Sequence, residues 1–544
     1  MGIPSYFSYI IKNYSNIIRK REDCKQIDHL FMDCNSIVYD CFAKLQDAYK
    51  KDTKPKTKTK PNTHNTNSIE TELIGNVISA IEHYIEFISP TKSVYIAFDG
   101  VAPFAKMDQQ RLRRYKSQFM TRMEFYDAPI WDTTAITPGT AFMQKLDQSI
   151  YQHFADASTT ITQKPYKIRV SCSDQCGEGE HKLFSHVRAN KSLYENSNIA
   201  VYGLDSDLIM LAIFHRQYCE SMYIFRETPA FKYMMQSSST TEKYMFLDIL
   251  ELSRCIFSEM RVQNTAACVN DYIFLCFILG NDFLPHFPAF NIRTHGTQIL
   301  MDTYRTTIGR HANMAFIQNY EKSKSNIQWK NVHKFIQSLA KQESGHFLAE
   351  HLARNKFEKK HWPTNTKEEK EEFFNNYPII FRQKEKYICP EEAGWQKRYY
   401  RALFNIDPTE ENIKKICINY LEGLEWVFAY YTQDCPDWRW KYHWNYGPLM
   451  QDLQMYVLEY KPRFHHSTPP TPNPYTKAQQ LAYVLPREKL WLLNTNTNRE
   501  HQQQDEANAK QSLLENYPET YEMESAYCRY GWEMKPILPN IQIV

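Results

Sequence analysis

Three short apolar runs in this chain each stop at an aspartate. Leu30-Phe31-Met32 runs into Asp33, Ser93 to Phe98 into Asp99, and Asn198 to Leu204 into Asp205. Between the first two, Glu70 to Ile88 carries Leu73, Ile74, Val77, Ile78, Ile81, Ile85 and Ile88 at the spacing of one helix face. Strand, helix, strand is the signature of a parallel α/β sheet. In open parallel sheets ligands bind beyond the carboxyl ends of the strands. The pattern therefore predicts an α/β fold with a mixed, largely parallel central sheet flanked by helices, and a converging acidic site at the carboxyl ends of its strands.

More carboxylates stand where such a site would draw on them. Glu178 and Glu180 lie in the glycine-containing stretch Gly177 to Lys182, Asp205 and Asp207 flank Ser206, and Asp282 follows Gly280-Asn281 after a fully apolar segment. Taken singly, an Asp at a strand end is usually a turn residue or a helix cap. Seven of them (Asp33, Asp99, Glu178, Glu180, Asp205, Asp207 and Asp282) cannot all ionise in one cleft unless cations neutralise them. An oxygen-only set without Cys or a His pair suits Mg²⁺, or Mn²⁺ in its place, better than zinc. Two such ions ~3.5–4 Å apart serve in-line phosphoryl displacement, which makes metal-assisted phosphodiester hydrolysis the expected reaction class.

Beside Asp99 stands the sharpest basic cluster of the chain. A helix starting near Lys106 would put Lys106, Gln110, Arg113 and Arg114 on one face, where bidentate arginines can hold phosphates. Net charge conceals this arrangement, because 65 Lys and Arg against 62 Asp and Glu sum to only +3.

Four segments interrupt the globular texture: 50–67, 353–376, 465–476 and 494–510. The first, KKDTKPKTKTKPNTHNTN, has six Lys and one Asp, and reads as a solvated loop inserted before a helix beginning near Ile69. The resulting division is a catalytic region at 1–305, a helical connection at 306–384 and a second unit at 385–544. Thirteen cysteines without paired spacing support neither a disulfide framework nor a zinc site. The N-terminus lacks a basic stretch followed by an apolar one, and the longest apolar run, Tyr272 to Leu279, is under half a membrane span. No membrane association is expected; cytoplasm is the favoured compartment, with the nucleus as alternative.

Taken together, these segments resemble the XRN family of 5′-to-3′ exoribonucleases. The blocks MGIPSYFSYI, Asp33-Cys-Asn35, DGVAPFAKMDQQRLRR (99–114), GEGEHK (177–182), YGLDSDLIML (202–211) and CFILGNDFLPHFP (276–288) follow in the family's order. The likeness continues through GWQKRYY (394–400), YLEGLEWVFAYY (420–431), CPDWRWKYHWNYGP (435–448), AQQLAYVLP (478–486) and the segment 517–539. It implies a PIN- or flap-nuclease-like core with a mainly helical second region packed against it and completing the active-site pocket. The seven acids would bind two Mg²⁺ ions. Lys106, Gln110, Arg113 and Arg114 would form the pocket for the 5′-monophosphate of single-stranded RNA, and Trp438, or else Trp440, would stack on the 5′ bases.

The likeness further implies processive release of mononucleotides in RNA decay after decapping, by a monomer needing no obligate protein partner. Where the family stacks a His near the 5′ nucleotide, this chain has Tyr39, which stacks but cannot become cationic. Phe104 stands for a basic residue, Asp108 for an Asn and Ser36 for a Gly, so looser 5′-phosphate discrimination is expected. Larger relatives continue into β-rich domains, and docking through such extensions is not expected here. The competing readings are a flap or PIN-like nuclease acting on DNA, and an inert RNA-binding scaffold.

Overall fold

Hydrophobic residues alternate along the central strands, and both faces of the resulting sheet are covered. Leu30 and Met32 point to one core cluster and Phe31 to the other; Val94 and Ile96 oppose Tyr95 and Ala97, and Ala200 and Tyr202 oppose Ile199 and Val201. Burial on two sides is what a parallel sheet requires. The computed structural model describes residues 3, 5–52, 66–123, 126, 129–156, 166–229, 243–262, 267–319, 325–464, 473–493, 515–541 and 543.

The main sheet has seven strands: β1 (Ile18–Arg19), β2 (His29–Asp33), β3 (Ser93–Ala97), β4 (Lys167–Ser171), β5 (Asn198–Tyr202), β6 (Ser221–Glu227) and β7 (Tyr244–Asp248). Their spatial order is β1-β7-β6-β5-β2-β3-β4. Strands β2 to β6 are mutually parallel, while β7 runs antiparallel to β6 and β1 antiparallel to β7. The expected mixed, largely parallel sheet is what forms. From β2 the chain builds outward to β3 and β4, then returns to add β5 and β6 on the other side. That reversal puts a topological switch point between β2 and β5, where Asp33 and the turn after Tyr202 meet.

Three helices matter for the site, labelled here α1 (Phe104–Thr121), α2 (Gly179–Ala189) and α3 (Glu410–Thr432). Helix α3 begins with Thr409 capping the Asn412 amide and from Ile416 onward is buried almost all round. Its Trp426, Phe428, Tyr430 and Tyr431 join the same core cluster as Phe274, Phe277 and Phe283. The second region therefore shares one core with the first.

Two expectations change. The helix expected near Ile69 spans Thr66–Ile88, and Lys50–Asp52 end the helix Asn35–Asp52, so both ends of the Lys-rich stretch are helical; its residues 53–65 lie outside the described set, as do 465–472 and 494–510 of the later polar stretches. The stretch 353–376 is an interruption only at 359–366, which is largely exposed and not helical. The helix Trp329–Glu358 runs into it and a second, Lys367–Asn375, follows. The first helix is held by a buried ion pair that polarity alone does not reveal, in which Arg354 donates to Glu385 at 2.7 and 2.9 Å and Arg382 adds a contact at 2.5 Å, and the second starts from a Thr366–Glu369 capping box. Among the described residues no helix is long and apolar enough to cross a membrane.

Candidate active site

Asp33 is the last residue of β2, and Asp99 follows β3 by two positions. Asn35 clamps the second to the first strand end: its Nδ2 donates to Asp99 Oδ2 at 2.7 Å, and its Oδ1 accepts from the Asp99 amide at 3.1 Å. The Gly179 amide donates to the other oxygen, Asp99 Oδ1, at 2.7 Å. A Cβ on Gly179 would stand 2.6 Å from Asp33 Oδ1 and 3.5 Å from Asp99 Oδ1, so only glycine lets the start of α2 come this close. The preceding Gly177 has φ +103°, a left-handed turn that aims Glu178 and Glu180 at the strand ends. Lys182 fastens that turn by donating to the Phe98 and Cys172 carbonyls, each at 2.8 Å.

Ligand atoms of Glu178, Glu180 and His181 lie within 4.8 Å of one another, and all three residues are buried. The second region reaches into this group through α3. Tyr430 donates to Glu178 Oε1 at 2.8 Å, its ring lies on His181 with centroids 3.7 Å apart, and Tyr431 hydrogen-bonds Asp207. Lys106 of α1 places its ammonium 2.5 Å from Glu178 Oε2 and 2.8 Å from Asp282 Oδ2. Asp207 is buried and Asp205 is the exposed member of the group. The Ser206 hydroxyl between them donates to the Ile3 carbonyl at 3.1 Å, which brings the start of the chain beside the site.

The electrostatics are those of too many acids in one place. Burial raises Asp33 well above the usual carboxylate range, and the charges of Asp99, Asp205 and Glu178 add to it. Burial likewise raises Glu180 and, against the pull of Lys106, Glu178. Asp207 is pushed up to about 7 by burial and then by Asp282. Asp282 goes the other way: burial opposes ionisation, but the adjacent Lys106 ammonium holds it well below the usual range. One lysine thus offsets part of an excess of negative charge. Asp33 Oδ1 and Asp207 Oδ1 are buried without a hydrogen-bond partner, an arrangement that burial penalises unless a cation completes it. The donor set and its orphaned oxygens fit hard divalent cations.

The basic helix forms as expected but divides its face. Lys106, Gln110 and Arg114 turn inward and are buried, whereas Arg113 is exposed at the edge. Gln110 Oε1 and Arg114 Nε have no partner, and burial pushes Arg114 down to about 10. Tyr39 is half-buried, and its charge interactions reach both Arg113 and Arg114.

Of the two tryptophans, Trp440 is buried and stacks on Trp426 with centroids 5.1 Å apart, so it is a core residue. Trp438 is half-buried, and its carbonyl accepts the Phe104 amide at 2.9 Å, which ties it to the first turn of α1. Phe104 itself packs between Tyr475 and Tyr483. Asp108 is engaged by Lys441 at 3.0 Å and by Tyr483, so its charge does not face the basic stripe as its sequence position suggested.

Sequence reasoning assigned no role to Asn35, His181, Tyr430 or Tyr431. The signal for the tyrosines was present: a helix apolar all round that ends in two phenols needs polar partners inside the protein.

Comparison with known proteins agrees with this geometry. Residues 1–228 match the sequence pattern of the XRN 5′-3′ exonuclease N-terminus, and residues 262–392 and 382–543 match that of the Xrn1 helical domain. The chain is 25% identical to 5′-3′ exoribonuclease 1 of Saccharomyces cerevisiae, over 89% of its own length and 39% of that protein's. It is 23% identical to 5′-3′ exoribonuclease 2 of Arabidopsis thaliana (100% and 66%) and 25% identical to 5′-3′ exoribonuclease 1 of Homo sapiens (99% and 33%). The chain thus spans from a third to two thirds of the length of these relatives. With the two patterns together matching nearly its whole length, this chain belongs to the XRN 5′-3′ exonuclease family.

Proposed function

We propose that the protein is a 5′-to-3′ exoribonuclease that processively hydrolyses single-stranded, 5′-monophosphorylated RNA to mononucleotides. One observation carries the reading: Lys106, the first residue of the buried stripe Lys106, Gln110, Arg114, contacts Glu178 and Asp282 of the buried acidic cluster, so that a scissile phosphodiester and a terminal phosphate can be held together. The names of the relatives support it.

Two divalent cations, Mg²⁺ with Mn²⁺ able to substitute, would be held by Asp33, Asp99, Glu178, Glu180, Asp205, Asp207 and Asp282, and would supply Lewis-acid activation of water and neutralisation of the phosphodiester's charge. The side chains do the remainder. Gln110, Arg113 and Arg114, with Lys106, bind the terminal phosphate through charge-assisted hydrogen bonds. Tyr39 and Trp438 stack on the first bases and hold them unpaired. Tyr430 and Tyr431 orient Glu178 and Asp207: Tyr430 donates to Glu178 Oε1 while Lys106 holds Oε2, and Tyr431 hydrogen-bonds Asp207, whose Oδ1 is left for a ligand.

Water attacks phosphorus and the bond to the 3′ oxygen of the first nucleotide breaks. That nucleotide leaves with its own 5′-phosphate, and the remaining strand acquires a new one. Each turnover therefore regenerates the group that the basic stripe binds, which is the physical basis for processivity.

The test offers end-labelled single-stranded RNA with monophosphate, hydroxyl or triphosphate 5′ ends, and flap DNA beside it, with Mg²⁺ and with EDTA. Mononucleotides released from the monophosphate RNA in Mg²⁺ alone are expected. Internal cuts, or preference for the flap, would overturn the reading.

A further inference from the structure

Asp99 differs from its neighbours in the acidic cluster in what holds it. Glu178 and Asp282 are held by the Lys106 ammonium, which neutralises part of their charge. Asp99 takes neutral donors instead, Asn35 Nδ2 on one oxygen and the Gly179 amide on the other, each at 2.7 Å. Among the described residues Asp99 forms no ion pair, and Asn35 is the one side chain that hydrogen-bonds its carboxylate. Neutral donors fix the direction of a carboxylate and leave its charge for a cation.

The backbone on either side of Asp99 is pinned as well. The Phe98 amide donates to the Ser171 carbonyl and the Gly100 amide to the Gly177 carbonyl, both at 2.9 Å, while Lys182 holds the Phe98 carbonyl at 2.8 Å. The Asp99 amide between them has Asn35 Oδ1 at 3.1 Å. One carboxamide therefore meets the Asp99 amide with its oxygen and the Asp99 carboxylate with its N–H. Turned over, it would set oxygen against oxygen and N–H against N–H, so its orientation is dictated. Other side chains of similar shape do not serve both ends: aspartate lacks the donor, leucine has neither group, and glutamine carries both one methylene farther out.

Asn35 is itself placed by its position. It opens the helix Asn35–Asp52 two residues after Asp33, and the Cys34 amide before it donates to the Ala97 carbonyl at 2.9 Å. The clamp thus ties the ends of the paired strands β2 and β3, and with them Asp33 and Asp99, at one spacing.

We infer that Asn35 is a positioning residue that holds Asp99 in the orientation for binding a divalent cation before the cation arrives. This rests on the proposed function for the metal, not for the clamp.

The experiment measures the binding of Mn²⁺ to the full chain without RNA, by the electron paramagnetic resonance signal of the free ion. Binding of a 5′-phosphorylated oligoribonucleotide in EDTA is measured beside it by fluorescence anisotropy. Asn35→Ala should bind Mn²⁺ about 10–100-fold more weakly than wild type, the range for losing a hydrogen-bond partner of a metal ligand. Its binding of the oligoribonucleotide in EDTA should stay at the wild-type level, because the stripe on α1 is untouched. Asn35→Leu keeps the volume without the hydrogen bonds and should match the alanine variant, which keeps the test open if either fails to fold. Asn35→Gln should recover part of the loss. Wild-type Mn²⁺ affinity in the alanine and leucine variants, or an equal loss of oligoribonucleotide binding, overturns the assignment by making Asn35 merely structural. A wild type that binds no Mn²⁺ overturns the metal reading and this inference with it. If Mn²⁺ binding depends on Asn35 in a chain that does not cleave RNA, the functional reading falls and the positioning role stands.

Discussion

The phenol of Tyr430 lies 2.8 Å from Glu178 Oε1, although the two residues are 252 positions apart. This hydrogen bond joins the helical second region to the acidic loop of the first and favours the ionised form of Glu178. Tyr430→Phe should therefore make Glu178 harder to ionise. Activity is expected to need several-fold more Mg²⁺ for half-saturation, the deficit shrinking as pH rises, with a stability loss of about 1 kcal/mol. A Mg²⁺ titration at two pH values checks this; an unchanged midpoint would show that the contact is only structural.

Asp207→Asn should lower turnover by roughly 10²–10³-fold, the scale of losing one group from a preorganised electrostatic site. In EDTA at pH 8 the same variant should melt higher than wild type. The sign follows from Asp207 being raised to about 7: above that pH the folded state holds a charge that burial disfavours. Turnover assays with differential scanning fluorimetry test both halves.

Gly179→Ala forces a methyl to 2.6 Å from Asp33 Oδ1. Overpacking of this kind costs about 1–3 kcal/mol. With Asp33 in its proposed role as a metal ligand, activity should fall much further than stability, and a variant with full activity would show that the start of α2 can move.

The two tryptophans should separate cleanly. Trp440→Ala removes a buried ring stacked on Trp426 and should cost about 3–5 kcal/mol. Trp438→Ala should melt near wild type yet weaken single-stranded RNA binding by about 1–3 kcal/mol per unstacked base. Urea unfolding and fluorescence anisotropy would expose the opposite pattern if the stacking role lay with Trp440.

Acid should destabilise the fold from about pH 6.5 downward. His29 is buried beneath Tyr194, bonds Ser93 Oγ at 2.7 Å, and is pushed by burial down to about 4. Between that value and the ordinary 6.5, the unfolded chain carries a proton that the folded one lacks, so stability rises with pH across this window. His181 and His215, buried and lowered likewise, add to the slope. His29→Leu should flatten the dependence by up to about 1.4 kcal/mol per pH unit in urea titrations at pH 4.5, 5.5 and 6.5.

Local order in the chain determined the sheet and the acids. The continuous apolar runs of β2, β3 and β5 need only neighbouring residues to be read, and a carboxylate at a strand end is located once the strand is. The stripe on α1 was equally legible, because helical spacing alone brings Lys106, Gln110 and Arg114 to one face. Tertiary structure decided what no local pattern carries. Trp438 and Trp440 are two positions apart in one motif, and only the path of α3 buries one against Trp426 and leaves the other beside α1. Arg354 looked like a solvated charge until Glu385 arrived from 31 residues away. Asp108 looked like a flaw in the basic face until Lys441 neutralised it. In each case burial fixes a charge or a ring only through a distant partner, and packing sets that partner.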